Sequence, residues 1–203
     1  MSTNRNHFVA IKLGLLKGET ILDLGCRDQI LRNYLNGRYN YIGVDVVKAH
    51  QNKKIIIHDL EKGLPKLKRK IDIIIALDVL EHLDNANLIR YHMLKNCKKK
   101  IIIALPNMAY YAFRFNFMLK GVISGKYPFN SSKPKDRHKW VPNYYSINNF
   151  FKNIDTKSWQ INSFNFIAER RFNFIIFFFD KFLSYFFPNL FVYEKIYILK
   201  KIN

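Results

Sequence analysis

Short apolar runs alternate with segments of helical spacing through the first half of this chain, and no other feature limits its fold as much. The apolar runs are Thr20–Leu24, Tyr41–Val46, Lys54–His58, Ile71–Leu77 and Lys100–Leu105. Helical spacing covers Gln29–Leu35 and Asn85–Asn96. The fourth run is almost entirely apolar, as expected for a parallel strand that is covered on both faces. Strands that alternate with helices in this way predict βαβ units and a parallel sheet.

The second half is less regular. Residues 106–143 mix aromatic residues with glycines and prolines, which predicts an inserted loop with one helix around Tyr110–Leu119. Such a long connection is usually functional, so we expect it to bind the substrate. We predict a basic helical lead-in over 1–18 and a helix over Tyr145–Lys152. Two late strands are predicted over Trp159–Ala168 and Phe191–Leu199, with an aromatic helix between them over Phe172–Phe187. We predict one α/β domain over 1–203, a Rossmann-like, doubly wound, mostly parallel seven-stranded sheet with an insertion after strand five.

The formal net charge of +19 favours an anionic partner such as RNA or a membrane surface. A/T-rich coding, which enriches lysine, is an alternative explanation. The most apolar region, Phe172–Tyr193, is interrupted by Asp180, Lys181 and Pro188, so it is too short to span a bilayer but suits a helix lying in the bilayer interface. There are two cysteines and no secretory signal at the start, which predicts a cytoplasmic protein, with peripheral membrane association left open.

Acidic residues or glycine follow successive predicted strands. The first strand leads into Asp23-Leu24-Gly25-Cys26, and Asp45, Asp59 and Asp78 end or follow the next three. In a doubly wound sheet, ligands bind outside the carboxyl ends of the strands. Gly25 allows the backbone to approach a ligand, and an acid such as Asp45 can accept hydrogen bonds from ribose hydroxyls. The pattern predicts a cofactor that contains a nucleoside.

Four segments carry a resemblance to a known family: Ile21-Leu22-Asp23-Leu24-Gly25-Cys26, Tyr41-Ile42-Gly43-Val44-Asp45, Asp78-Val79-Leu80-Glu81-His82-Leu83 and Ile101-Ile102-Ile103-Ala104-Leu105-Pro106-Asn107. Over residues 19–107 the chain resembles the class I S-adenosylmethionine (SAM)-dependent methyltransferases, and among them the MetW-like and ubiquinone-type small-molecule branch. The resemblance implies that SAM is the cofactor, with its methionine moiety near Asp23 and Gly25, its ribose at Asp45 and its adenine at Asp59 and Leu60. The expected cofactor-binding residues are Asp23, Gly25, Cys26, Asp45, Val46, Asp59, Leu60 and Asp78.

The chain departs from the family in its glycine loop, where Arg27 and Gln29 occupy positions that usually carry glycine. A side chain there can crowd the cofactor or require an unfavourable φ. A non-catalytic SAM-fold binding protein is therefore an alternative to an enzyme. The same absence disfavours NAD, whose pyrophosphate depends more on the full glycine motif.

The candidate catalytic residues are His82, Glu81 and His138. Histidine is a residue type that serves as a general base, although Glu81 and His82 also fit a purely structural role in capping or orienting the next helix. Asp78, Glu81 and His82 further resemble the set that holds a divalent ion in ubiquinone-biosynthesis and small-RNA O-methyltransferases, with His138 as a fourth ligand. We expect methyl transfer without a metal, dominated by positioning and assisted by His82, and keep the metal site as the alternative.

The predicted function is SAM-dependent methyl transfer to a small molecule, including one linked to a lipid, quinone or saccharide. An RNA methyltransferase is the alternative that the positive charge favours. The non-catalytic binding protein is the alternative that Arg27 and Gln29 favour.

Overall fold

The computed structural model describes residues 2–13, 18–35, 37, 39–47, 55–67, 71–123, 126–127, 137–167 and 174–202. Its strands are β1 (Thr20–Leu24), β2 (Asn40–Asp45), β3 (Ile55–Ile57), β4 (Ile71–Leu77), β5 (Cys97–Pro106), β6 (Trp159–Phe166) and β7 (Glu194–Lys201). Its α-helices are α1 (Ser2–Leu13), α2 (Ile30–Asn33), α3 (Ala86–Asn96), α4 (Tyr111–Lys120), α5 (Tyr144–Lys152), α6 (Phe174–Phe186) and α7 (Pro188–Phe191).

The strands form one seven-stranded sheet in the order β3-β2-β1-β4-β5-β7-β6. The first five are parallel to their neighbours, whereas β7 is antiparallel to both β5 and β6. Strand order reverses between β1 and β4, which is the switch point where such sheets bind ligands. The predicted doubly wound, mostly parallel, seven-stranded fold is confirmed.

Both faces of the sheet are covered, which explains why its central strands are almost continuously apolar. In β4, Ile73 and Ile75 pack on one face with residues of α1 and α2. Ile74 and Ala76 pack on the other face with residues of α3 and α5. Burying both sets of side chains removes most of the apolar surface of the strands from water and is the main driving force for this layered structure.

Several element boundaries differ from the sequence prediction, among them the start of β5 at Cys97 and not at Lys100, and two of the differences have a clear physical cause. The last strand begins at Glu194 and not at Phe191, because Pro188–Phe191 forms a short helix with proline in its first turn, where its missing N–H costs nothing. The second helix is shorter than predicted and begins at Ile30, because Gln29 has a left-handed backbone conformation that a helix cannot contain.

The segment 106–143 contains α4 and, at its end, residues 137–143, while residues 124–125 and 128–136 lie outside the described part. Its end packs against the turn that follows β4, where the amides of Lys139 and Trp140 donate to the carbonyl oxygen of Glu81, at 2.8 and 3.2 Å. The Trp140 indole also donates to the carbonyl of Leu83 at 2.7 Å. Backbone pairing therefore fixes this part of the segment beside β4.

The loop after β1 is seated against β2 at a glycine. Gly43 pairs with Asp23 in the parallel ladder, and a Cβ added at Gly43 would lie 2.6 Å from Cys26 Sγ. The Cys26 amide also donates to the carbonyl of Val44 at 3.1 Å. The absence of a side chain at Gly43 lets Cys26 lie across β2 and sets the path of the loop.

We predict that Gly43→Ala lowers the free energy of unfolding by about 1–3 kcal/mol, as expected for overpacking. Adding Cys26→Ala should recover part of the loss because it removes the sulfur that the new methyl group meets. Urea unfolding of the parent, both single variants and the double variant measures this coupling. Strictly additive losses would show that the two side chains do not compete for this space.

Candidate active site

The carboxyl ends of β2, β1 and β4 are adjacent at one edge of the sheet. This order brings together Asp45, Gly25 and Asp78, which the sequence analysis assigned to the cofactor from separate motifs. Gly25 has φ of 65°, and a Cβ there would lie 2.6 Å from Val79 Cγ2. The turn after β1 can therefore pack directly on the turn after β4 only because this residue is glycine.

Asp45 fixes the loop after β1. Its Oδ2 accepts a hydrogen bond from the Arg27 amide at 2.8 Å, and its Oδ1 accepts one from the Val47 amide at 3.0 Å. The neighbouring Val46 side chain is exposed at the same edge. Each carboxylate oxygen can accept more than one hydrogen bond, so Asp45 keeps the capacity to bind a ligand hydroxyl.

In the loop after β1, two residues other than glycine have the left-handed backbone conformation that glycine favours. Arg27 and Gln29 have φ of 42° and 56°, and Asp78 has φ of 54°; among the described residues, these are the positive-φ residues other than glycine. All three lie at this edge of the sheet, and strained backbone is often found in functional sites. The Gln29 side chain is buried and accepts from Arg32 Nη1 at 3.0 Å, whereas Arg27 is exposed. The expected unfavourable φ is confirmed at both positions.

Asp23 is buried beneath this loop. The Tyr41 hydroxyl donates a hydrogen bond to Asp23 Oδ2. Burial raises the pKa of Asp23 to about 7, against the opposing influence of the Tyr41 hydrogen bond and the Arg5 charge. A cationic ligand group at this edge would favour the ionised carboxylate.

Arg5 of α1 belongs to this edge, although the sequence analysis did not identify it. Its guanidinium pairs with Asp78 Oδ2 and with Glu194 Oε1, the latter at 3.0 Å. Glu194 is the first residue of β7 and is buried. Arg5 sits in a mixed basic segment whose pattern carries no sign of this role, since its partners are far away in sequence.

The adenine-side candidates occupy a short turn after β3. Asp59 Oδ1 accepts from the Glu61 amide at 3.0 Å and caps the 3-10 turn Leu60–Lys62. Asp59 therefore already has a hydrogen-bond partner in the Glu61 amide. The Leu60 side chain packs in the core, so only its backbone can contact a ligand.

A second group of side chains lies in the turn after β4. Glu81 is buried, and neither of its carboxylate oxygens has a hydrogen-bond partner among the described residues. Glu81 Oε1 lies 4.0 Å from His82 Nε2 and 3.9 Å from His138 Nε2. Burial raises the pKa of Glu81 well above its ordinary value, and the charge of Asp78 adds to the effect. Glu81, His82 and His138 each offer one possible metal-ligand atom, and these three atoms lie within 4.8 Å of one another.

Hydrogen bonds orient both imidazoles in this cluster. His82 Nδ1 lies 2.9 Å from the carbonyl oxygen of Arg137, which can only accept, so Nδ1 carries the proton. Tyr127 donates its hydroxyl proton to the carbonyl of Trp140 at 2.6 Å, so its oxygen can accept from His138 Nδ1 at 3.4 Å. In these neutral tautomers the lone pairs are on the two Nε2 atoms, which are the imidazole atoms near Glu81 Oε1.

The structure thus joins Glu81, His82 and His138, the three candidate catalytic residues, from two distant parts of the chain. Asp78, the fourth residue of the alternative metal set, is not part of this cluster, and one of its oxygens pairs with Arg5. Arg137 and Tyr127, which orient the imidazoles, were not identified from sequence. Their roles depend on one backbone carbonyl and one phenol oxygen, which leave no pattern in the sequence.

Comparison with known proteins identifies the family. The sequence model of the family described as "Methyltransferase domain" matches residues 4–105. No curated protein sequence matches the chain. At the identities found, similarity to solved structures shows a shared fold.

Three solved structures illustrate that shared fold. A SAM-dependent methyltransferase from Archaeoglobus fulgidus is 15% identical with a TM-score of 0.61, and the match covers 97% of this chain and 94% of that one. Magnesium protoporphyrin IX methyltransferase from Synechocystis PCC 6803 with bound SAH is 18% identical, with a TM-score of 0.60 and coverage of 99% and 83%. The small RNA methyltransferase HEN1 is 16% identical with a TM-score of 0.68, over 100% of this chain and 25% of that one. Because the family match spans half of the sequence, this chain belongs to the methyltransferase domain family, whose methyl donor is SAM.

Proposed function

We propose that this protein transfers the methyl group of SAM to an oxygen atom of a small-molecule acceptor, and that Glu81, His82 and His138 hold a divalent cation that activates this oxygen. The observation that carries the proposal is the buried Glu81 carboxylate, which accepts no hydrogen bond from the described residues while two imidazole Nε2 atoms lie 4.0 and 3.9 Å from its Oε1. The MetW-like or ubiquinone-type branch that the sequence resembles is part of the same proposal.

The edge formed by β1, β2 and β4 fits SAM. Gly25 leaves room where a side chain would collide, and Asp45 can accept hydrogen bonds from the ribose hydroxyls. Asp23 lies near the position assigned to the methionine moiety, whose ammonium group would favour its ionised form. Because the donor is already activated, orienting it beside the acceptor supplies much of the rate enhancement.

The environment of Glu81 favours a cation over an empty cluster. A buried carboxylate without a hydrogen-bond partner is costly, and in their neutral Nδ1–H tautomers the two imidazoles offer lone pairs and not protons at Nε2. Carboxylate and imidazole ligands suit a divalent ion, and metal-binding histidines usually donate their other N–H to an oxygen acceptor. His82 and His138 both have such an acceptor, at the Arg137 carbonyl and the Tyr127 hydroxyl.

A bound divalent ion would lower the pKa of an acceptor hydroxyl and so supply the oxygen nucleophile. The protein's own part is to hold the three ligands, to keep their geometry through Arg137 and Tyr127, and to keep the acceptor beside the SAM edge. The alternative is a metal-free site in which the cluster shares protons and His82 acts as the general base. The elevated pKa of Glu81 is compatible with that alternative.

The acceptor is proposed to be a small molecule, including one linked to a lipid, quinone or saccharide. We assign its pocket to the segment 106–143, because that segment supplies His138 and Tyr127. A small RNA is the second candidate acceptor. It is favoured by the net charge of +19 and by the similarity of fold to a small RNA methyltransferase.

We expect Arg27→Gly to be more stable than Arg27→Ala by about 1–2 kcal/mol, because both remove the side chain but only glycine adopts a positive φ without strain. Arg27→Gly should also bind SAM at least as tightly as the parent. Urea unfolding and calorimetric titration measure the two effects. At the adjacent Asp28, which does not have a positive φ, the order of the glycine and alanine variants should be reversed. An alanine variant as stable as the glycine variant at position 27 would show that the loop is not strained.

We expect Asp45→Ala to weaken SAM binding by about 1.5–3 kcal/mol, the range for hydrogen bonds to a charged group. Calorimetric titration with SAM and with its demethylated product measures the loss. Asp155→Ala, which removes an exposed acid from the turn before β6, is the matched control and should bind normally. Unchanged affinity in Asp45→Ala would refute the cofactor placement, and no binding by the parent would favour a protein without catalytic function.

Titration of the parent with Mn²⁺ or Mg²⁺ should show one binding site, and Glu81→Gln and His138→Gln should each weaken it at least about tenfold by removing a ligand. His92→Gln changes a histidine of α3 outside the cluster and should bind the ion normally. Thermal unfolding with and without the ion gives a second readout, since a bound ion stabilises the folded state.

Activity can be followed with SAM labelled in its methyl group and a cell extract divided into organic-soluble and RNA fractions. Label is expected in the organic-soluble fraction, and chelator should abolish it while added Mg²⁺ or Mn²⁺ restores it. Transfer that survives chelator but falls about 10²–10⁴-fold in His82→Ala would establish His82 as a general base instead. Label confined to the RNA fraction would overturn the small-molecule acceptor.

A further inference from the structure

Helix α6 directs most of its described aromatic side chains away from the protein. Five of them are more than half exposed, with Tyr185 reaching 84%: Phe178, Phe179, Phe182, Tyr185 and Phe186. Their spacing along the helix is that of a single continuous face. In an ordinary surface helix, such a face would pack against the core.

The fully buried side chains of α6, among those described, are polar. Asp180 and Ser184, one helical turn apart, are only 2% and 9% exposed. Asp180 Oδ2 accepts from the Tyr111 hydroxyl at 3.2 Å, and the Ser184 hydroxyl donates to the carbonyl of Lys181 at 2.7 Å. The hydrogen bond to Tyr111 fixes the orientation of α6, so its aromatic side remains outside. An exposed apolar side of this kind marks a surface that binds a protein or a membrane.

Helix α4 continues the exposed apolar surface. It contacts α6 through Tyr111, and none of its side chains is fully buried. Phe115, Phe117, Met118 and Leu119 are exposed, and with Leu190 of α7 the helix lines a groove of about 800 Å³. We call the exposed side chains of α4 and α6 together the aromatic face.

The charges on the aromatic face have one sign. Its exposed charged side chains, among those described, are Arg114, Lys120 and Lys181. The acidic residue of the two helices, Asp180, is buried against Tyr111. Basic residues beside exposed aromatic ones are the composition of helices that lie in the interface of an anionic bilayer.

We propose that the aromatic face docks this protein onto an anionic lipid bilayer, with α6 lying in the plane of the interface. With 13 residues, α6 is too short to cross the hydrocarbon core, and no helix of the described part of the chain is long and apolar enough to do so. A second copy is a poorer occupant, because it would bring two chains of net charge +19 together, whereas an anionic surface provides the opposite charge. The proposal does not depend on the methyl acceptor or on a bound metal.

The test is co-sedimentation of the full chain with vesicles, without SAM or acceptor, so that it succeeds or fails independently of the proposed function. The protein should bind vesicles of phosphatidylcholine with about one third phosphatidylglycerol, and bind phosphatidylcholine alone much more weakly. Binding should fall as NaCl is raised from about 0.1 M to about 0.5 M. Phe182→Ser with Tyr185→Ser should lower the partition coefficient at least about tenfold because it removes apolar surface from the interface.

The matched control is Tyr91→Ser with Tyr145→Ser, which removes two aromatic side chains that are also more than half exposed but lie on α3 and α5. It should bind vesicles as the parent does. Normal SAM titration and circular dichroism of both double variants confirm that they fold. Equal binding by all three proteins, or no binding by the parent, would overturn the proposal. A second copy would be the occupant if the protein does not bind vesicles and sediments as a dimer in their absence. In that case Phe182→Ser with Tyr185→Ser should abolish the dimer.

Discussion

Parallel pairing of β1 between β2 and β4 is the constraint on which the rest of the structure depends. The register aligns Asp23 with Gly43 on one side and with Ile75 on the other, so the three strands end at a common edge. Strand order reverses at this point, which is where sheets of this class bind ligands. The candidate cofactor residues and the Glu81 cluster both derive their positions from that edge.

The loop at this edge shows how a binding site tolerates strain. Arg27 and Gln29 retain left-handed backbone conformations that cost about 1–2 kcal/mol each for residues other than glycine. The surrounding contacts fix them there, since the Arg27 amide donates to Asp45 and the Gln29 amide donates to the carbonyl of Cys26 at 2.7 Å. Arg27 and Gln29 therefore hold a backbone conformation that glycine would adopt without strain.

Two features of the molecule break ordinary rules of burial, in opposite directions. Glu81 is an acidic group inside the protein without a hydrogen bond from the described residues, and α6 presents aromatic groups outside while burying Asp180. Each arrangement is unfavourable for the isolated chain. A divalent cation would compensate the first and an anionic bilayer the second. A membrane-bound enzyme would reach a lipid-linked acceptor by diffusion in two dimensions, which makes the two proposals compatible although they are tested separately.

The sequence alone determined the strands, the doubly wound sheet and the edge that carries Gly25 and Asp45, because apolar periodicity and strand-end residues are local features. It also singled out Glu81, His82 and His138, but not how they meet. Tertiary structure decided that Arg5 pairs with Asp78, that the Arg137 carbonyl and the Tyr127 hydroxyl orient the two imidazoles, and that α6 turns its aromatic side outwards. A periodic pattern of apolar residues indicates which face of a helix or strand is apolar, but it does not identify the residues that pack against that face. Contacts between residues far apart in the chain become specific only when the sheet has brought their elements together.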